Sequence, residues 1–292
     1  MTDTTVALDQ LEAAVRRALD TGDASDLDVV DYGEISTVLR IDTEDGALAC
    51  KRLPPIPVDA VAAYRDVFQA YLDALAGRGV DVVDSTLYSV VGDDGETTVY
   101  CVQPIQERLL VDRLRTATPN DAANLATTVV DHVLAGVGPD IGLDAQVSNW
   151  AVTGTGGLVY LDVTTPLLRD NSANEMLDTD LFLASLPWAL HAGVRRFLLE
   201  EILSHYYDPR AALVDLIANL QKERLHDLTG TFMEAANRRV GTPITETETA
   251  KYYRFDAAMW EVLQRLRQAD RWWQRKVRRR RYPFLLPGKV GR

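Results

Sequence analysis

The chain has 292 residues, 47% of them hydrophobic and 25% charged, with a net charge of −12. That length and apolar content suffice to bury a substantial core, and the ordinary composition excludes a disordered or fibrous chain. The charge is uneven: residues 271–292 contribute +9 with no Asp or Glu, so the first 270 carry −21. An acidic body argues against nucleic acid as a partner, while the basic end is suited to an anionic surface.

The opening MTDTTVALDQ has neither a basic stretch nor an apolar core, so no signal peptide is expected. Nor is a membrane span expected, because no run of about eighteen apolar residues occurs. Cys50 and Cys101 each sit in an apolar, strand-like run without metal-ligand spacing, and read as small buried hydrophobes in a reducing compartment. The expected location is cytoplasmic.

In chain order, Val6, Leu8, Leu11, Val15 and Ala18 recur near helical spacing and predict an amphipathic helix over 6–19. Residues 29–32 and 35–41 are β-prone runs joined at Gly33, and 47–51 returns as a partner strand after the Glu44-Asp45-Gly46 turn. Lys51 closes that strand just before Pro54-Pro55-Ile56-Pro57 breaks the chain. A helix is expected over 58–76, then a hairpin of 86–91 with 97–103 around Asp93-Asp94-Gly95. Pro104 ends the last strand. To about residue 103, then, a small antiparallel sheet carries one helix.

After Ile105 the pattern turns helical. Asp121 is expected to cap a helix bearing Ala122, Leu125, Val129 and Val133, and further helices are expected over 178–205, 209–225, 229–239 and 255–280. Pro187 interrupts the first of these. His132, His191, His205 and His226 fall in these helices without the spacing of metal ligands.

The stretch 143–163 carries the chemistry. A loop from Asp144 to Asn149 leads into two strand-like runs, 150–153 and 158–163, joined by Gly154-Thr155-Gly156-Gly157. The second run delivers Asp162 from among Leu, Val and Tyr, where an unpaired carboxylate would be costly. A carboxylate, an amide five positions on and a second carboxylate after a hairpin suit phosphoryl transfer, with Asp144 as base and Asn149 and Asp162 as magnesium ligands. Against this, Asp and Asn also populate loops simply because they turn the backbone. Lys51 could reach nucleotide phosphates or merely snorkel from a strand end. The Gly33-Glu34-Ile35-Ser36 turn is a candidate phosphate-covering loop, though with a single glycine.

In this order of parts the chain resembles the protein-kinase-like superfamily, and within it the aminoglycoside-phosphotransferase branch of small-molecule kinases. The resemblance rests on Gly142-Leu143-Asp144, Asn149 and Asp162, matched to a His-Gly-Asp-x4-Asn loop, a hairpin and a metal-binding Asp. It implies a two-lobed α+β fold, with a small antiparallel-sheet N-lobe (1–103) and a larger helical C-lobe (104–258); the residue pattern itself adds a basic C-terminal helix and tail (259–292). It further implies ATP and Mg2+ as cofactors and a small-molecule alcohol as acceptor. Asp144 becomes the catalytic base, Asn149 and Asp162 the metal ligands, and Lys51, Gly33, Glu34 and Ser36 the phosphate contacts. Gln103 and Ile105 belong to a hinge, Val102 to Ile105, that meets adenine through its backbone.

Three departures keep a pseudokinase, a nucleotide- or partner-binding module, as the alternative. The histidine usual before the catalytic Asp is absent, Val163-Thr164-Thr165 replaces Phe-Gly after the metal-binding Asp, and the helix over 58–76 offers no Glu to pair with Lys51.

The C-terminal segment is amphipathic. Val262, Leu263, Leu266, Ala269, Trp273 and Val277 form a stripe, with Arg265, Arg267, Arg271, Arg275, Lys276 and Arg278 mostly off it. The favoured expectation is that the stripe packs on the acidic body. The alternative is peripheral contact with an anionic membrane or partner.

Overall fold

A computed structural model describes residues 3–33, 36–92, 96–178, 180–183, 191, 194 and 203–285. Helix α1 (Asp3–Thr21) leads into strands β1 (Val29–Tyr32), β2 (Thr37–Thr43), β3 (Gly46–Arg52) and the two-residue β4 (Ile56–Pro57). Helix α2 (Ala60–Gly77) and strands β5 (Thr86–Val91) and β6 (Glu96–Pro104) complete the N-terminal part. The strands form one antiparallel sheet in the order β1-β2-β3-β6-β4, with β5 on the other side of β6.

Period-two alternation assigns the two faces of this sheet. Leu39, Cys50, Tyr100 and Val102 pack against Leu8, Leu11, Val15 and Leu19 of α1. The other face, with Leu87, Val99 and Cys101, shares the main core with Tyr64, Phe68 and Tyr71 of α2 and with the helices that follow. Two adjacent residues of β3 are thereby sent opposite ways: Arg52 meets α1, and Lys51 faces the helical part.

That part comprises α3 (Leu110–Arg115), α4 (Pro119–Gly136), the hairpin β7 (Trp150–Val152) and β8 (Leu158–Tyr160), α5 (Asp180–Leu183), α6 (Pro209–Asn219), α7 (Thr229–Asn237) and α8 (Glu246–Lys276). The fold is α+β, an antiparallel sheet followed by a helical region. The hairpin is set by Trp150, whose ring packs against Tyr160 at 5.1 Å and meets the edge of His132 at 5.8 Å. It is tied to the sheet region by Tyr160 N–H donating to Asp81 O and Val83 N–H to Tyr160 O, at 2.8 and 3.0 Å.

Several expected elements shift for identifiable reasons. Helix α4 starts at Pro119, and its cap is Thr118; Asp121 is the reciprocal partner, donating its N–H to Thr118 Oγ1 and accepting from that hydroxyl. Helix α8 begins nine residues before its expected start at 255, because Thr245 caps it through Glu248 N–H and Glu248 pairs with Arg210 of α6. The helix expected over 209–225 ends at Asn219 and gives way to turns. Strand β8 stops at Tyr160, so Asp162 lies just past a strand rather than inside one. Most of the helix expected over 178–205, with Pro187, lies outside the described residues.

The apolar stripe of α8 packs on the body only in part: Leu263 and Leu266 are half-buried, and the rest of the stripe is exposed. Met259, Val262, Trp273 and Val277 are exposed, whereas Arg267 is buried. Residues 282–284 turn back along the inner side of the helix, where Tyr282 and Phe284 are buried and the Arg267 guanidinium lies 5.3 Å from the Phe284 ring centroid. That contact orients the inner face of α8 and turns its apolar side outward.

Candidate functional site

Lys51 Nζ lies 2.7 Å from Asp162 Oδ1, joining the sheet to the helical region. The segment bearing Asp162 is held from three sides. Leu161 N–H donates to Asn149 O at 2.9 Å, Gln103 Nε2 donates to Leu161 O at 2.9 Å, and Tyr64 Oη of α2 donates to Thr164 O at 2.9 Å. The Thr164 hydroxyl also donates to Asp162 Oδ1, at 3.3 Å. Burial pushes the Asp162 carboxyl up, but the Lys51 ammonium and the Thr164 donors more than offset this and leave it below its ordinary range.

Asp144 and Asn149 belong to the same cluster. Asn149 Nδ2 donates to Asp144 O at 3.2 Å, and Gln146 N–H donates to Asp144 Oδ1 at 3.3 Å. Burial first, and the charge of Asp162 second, push the Asp144 carboxyl up to about 6. Two neighbouring carboxylates are thus driven apart, one kept ionised by a lysine and the other raised into the range useful for proton transfer.

The loop is fixed from below at Gly142. Its carbonyl accepts from Tyr71 Oη at 2.9 Å, and Leu143 N–H donates to Tyr206 O at 3.3 Å. A Cβ at Gly142 would come within 3.0 Å of Leu167 Cβ and Tyr206 O. The position where the resemblance asks for histidine therefore leaves no room for a side chain. The Tyr71 hydroxyl and backbone pairing with Leu167 and Tyr206 anchor this loop instead.

The expected nucleotide contacts outside this cluster are placed less simply. Gly33 and Ser36 close a tight turn, with Gly33 N–H donating to Ser36 O at 3.0 Å and Ser36 buried; Glu34 lies outside the described residues. Gln103 turns its amide to Leu161 O and Ser85 Oγ, which makes it a brace for the segment bearing Asp162. Pro104 has no N–H, and the Ile105 N–H donates to Ala47 O at 3.2 Å, so it extends the sheet pairing at the expected hinge.

Asn149 and Asp162 offer one amide oxygen and one carboxylate. Among the described residues no group of three His, Cys, Asp or Glu is arranged to hold a metal. Two hard oxygen donors fit a magnesium ion that takes its remaining ligands from water and phosphate, and do not fit a closed structural metal centre.

The sequence model of one protein family matches residues 10–271, nearly the whole chain. The chain belongs to DUF6206, a family of unknown function. The matched span contains Lys51, Asp144, Asn149 and Asp162. No curated protein matches the chain.

In this DUF6206 protein the structure adds residues that the sequence reading passed over. Asp215 lies in the interior of α6, where Asn219 Nδ2 donates to its Oδ1 at 2.7 Å and Tyr252 of α8 reaches it through its hydroxyl. Burial, then the charge of Asp144, hold the Asp215 carboxyl well above its ordinary range. Lys222, on the turns after α6, donates to Gln146 Oε1 at 3.0 Å and lowers the pKa of both Asp144 and Asp215. Asp215 had a signal in Leu213-Val214-Asp215-Leu216-Ile217, a carboxylate inside an apolar run like Asp162. Lys222 had none.

Proposed function

We propose that this protein has a two-lobed, protein-kinase-like fold and is an ATP- and magnesium-dependent phosphotransferase acting on a hydroxyl of a small molecule. The observation that carries this reading is the meeting of Lys51, from the sheet, with Asp162, Asn149 and Asp144 from the loop and hairpin of the helical region. Lys51 is in place to hold nucleotide phosphates, and Asp162 and Asn149 supply oxygen ligands for the metal. A bound magnesium ion would neutralise phosphate charge. Asp144, raised to about 6, accepts the proton of the acceptor hydroxyl at its carboxylate.

The experiment is nucleotide binding by calorimetry, with and without magnesium, on the unaltered chain and on Asp162→Asn. Magnesium should tighten ATP binding in the first and not in the second. Metal dependence that survives the substitution removes Asp162 from the metal site.

A second reading, a nucleotide- or partner-binding pseudokinase, is favoured by three observations. Lys51 pairs with Asp162 itself, and α2 turns Tyr64 rather than a carboxylate towards this region. Gly142 also excludes the histidine of the related loop. ATP binding without transfer to any member of a broad panel of alcohols, sugars and amino alcohols supports the second reading over the first.

A further inference from the structure

We propose that helix α8 is a membrane-docking element that seats the protein on a bilayer surface rich in anionic lipid. The inference is independent of what the Lys51–Asp162 site does.

Phe255, Met259, Val262, Trp273 and Val277 are 42–68% exposed and recur at helical spacing along one side of α8. At about 100° per residue they fall within one narrow stripe. No helix among the described residues is long and apolar enough to cross a membrane. Although Tyr252 of α8 packs on the main core and Leu263 and Leu266 are half-buried, the helix shows this apolar stripe to solvent while burying Arg267 on its inner side, so its own fold leaves apolar surface uncovered. Its apolar side therefore serves something outside the fold.

Charge identifies the occupant. Lys251, Arg254, Arg265 and Lys276 run along one border of the stripe, all exposed, with Glu261 on the same side paired to Arg265 and leaving the border net positive. At the C-terminal end, Trp272 and Trp273 stand exposed beside Lys276 and just before exposed Arg278, Arg279 and Arg280. Tryptophan with arginine and lysine is the composition that settles at the level of lipid headgroups. The first 270 residues carry −21, so an anionic surface repels most of the molecule and accepts it through this end. Asp256 and Asp270 lie on the opposite border, which tilts the helix towards its cationic side.

A second copy of the chain is a poorer occupant. The seam Phe255, Met259, Val262, Leu266, Ala269 and Trp273 has heptad spacing, but its next position is Lys276. A parallel pair would bring the two Lys276 side chains together, and an antiparallel pair would set the cationic borders against each other.

The test is co-sedimentation of the full chain with vesicles of phosphatidylcholine alone and of phosphatidylcholine with one-third phosphatidylglycerol. Most of the protein should pellet with the second and little with the first, and added salt should release it. The double substitution Val262→Glu with Trp273→Glu, at exposed positions, should weaken vesicle binding about tenfold or more. In the unaltered chain, tryptophan emission should be quenched by brominated anionic lipid, a readout that needs no variant. Equal recovery in both supernatants, or binding unchanged by the double substitution, overturns the proposal. So does a dimer that the substitution dissolves while vesicles recruit neither form.

Discussion

Lys51 and Asp162 are 111 residues apart in the chain and 2.7 Å apart at their charged atoms. Their side chains are 18% and 24% exposed, so the pair is neither fully solvated nor sealed. Removing one partner strands the other charge in a partly dry place, whereas removing both does not. Lys51→Met is expected to cost about 1–3 kcal/mol in urea unfolding, and the double variant Lys51→Met with Asp162→Asn to recover most of it. Simply additive costs would mean that the two charges do not support each other.

Asp144 lies the other way in energy. Its folded-state pKa of about 6 is above the ordinary 3.8, so the folded state holds the proton more tightly than the unfolded chain does. Ionising it therefore lowers stability as pH rises from about 4 through about 6, and the cost persists at neutral pH. In magnesium-free buffer, Asp144→Asn should stabilise the protein by about 1–3 kcal/mol near neutrality and by almost nothing near pH 4. The same variant should lose phosphoryl transfer, if Asp144 is the base. A variant that is no more stable at pH 7 than the parent would show that burial does not burden this carboxylate.

If the proposed phosphotransfer with Asp144 as base holds, magnesium-dependent turnover should rise with pH through the Asp144 titration, because a base acts only when ionised. Lys222 lowers that titration from its place beside Gln146. Lys222→Ala should move the acid limb of the pH–rate profile upward without shifting any limb on the alkaline side. An unmoved acid limb would separate Lys222 from Asp144.

On the opposite face of the sheet, Glu12 of α1 is 2% exposed. It accepts from Arg52 at 2.8 and 3.0 Å, from Tyr100 Oη at 2.7 Å and from Arg16 Nε at 2.9 Å. Burial pushes this carboxyl up, and the Arg52, Tyr100 and Arg16 donors more than offset it, bringing it down to about 2. The stability it confers is present above the ordinary value of 4.5 and is lost as pH falls towards 2. Glu12→Ala should cost about 3–5 kcal/mol, since it leaves Arg52 buried without its carboxylate. The variant should also show a flatter acid limb in its stability–pH curve; a limb as steep as the parent's would place the acid sensitivity elsewhere.

How much of this was legible in the sequence depended on whether local pattern or distant packing decided each feature. Strand alternation and helical spacing gave the sheet, α1, α2 and the 150–160 hairpin to within a few residues, because those patterns are local. They also put Lys51, Asp144, Asn149 and Asp162 in one order of parts, though only the fold makes them neighbours. The role of Gln103 as a brace, the lack of room at Gly142 and the joining of Asp215 to Asp144 all depend on contacts across tens of residues. So does the outward turn of the α8 stripe: an amphipathic pattern says which side of a helix is apolar, and not whether the fold covers it.

The tail beyond α8 is the last such contact, and it is testable. Helix α8 starts on α6 through Arg210 and Glu248 and ends beside α1, where Arg275 donates to Asp20 O at 2.9 Å. Arg281 then forms two bonds to the Asp20 carboxylate, at 2.6 and 2.7 Å, and Arg52 donates to Pro283 O at 2.9 Å. With Tyr282 and Phe284 buried, these bonds make residues 281–284 a strap from the helical region to the N-terminal helix. Ending the chain at residue 280 removes the strap and exposes the Arg52–Glu12 network to water. The shortened chain is expected to lose about 2–4 kcal/mol of stability, and amide exchange in α1 should quicken more than in α6. Unchanged protection of α1 would mean that the strap lies on the surface without holding the two regions together.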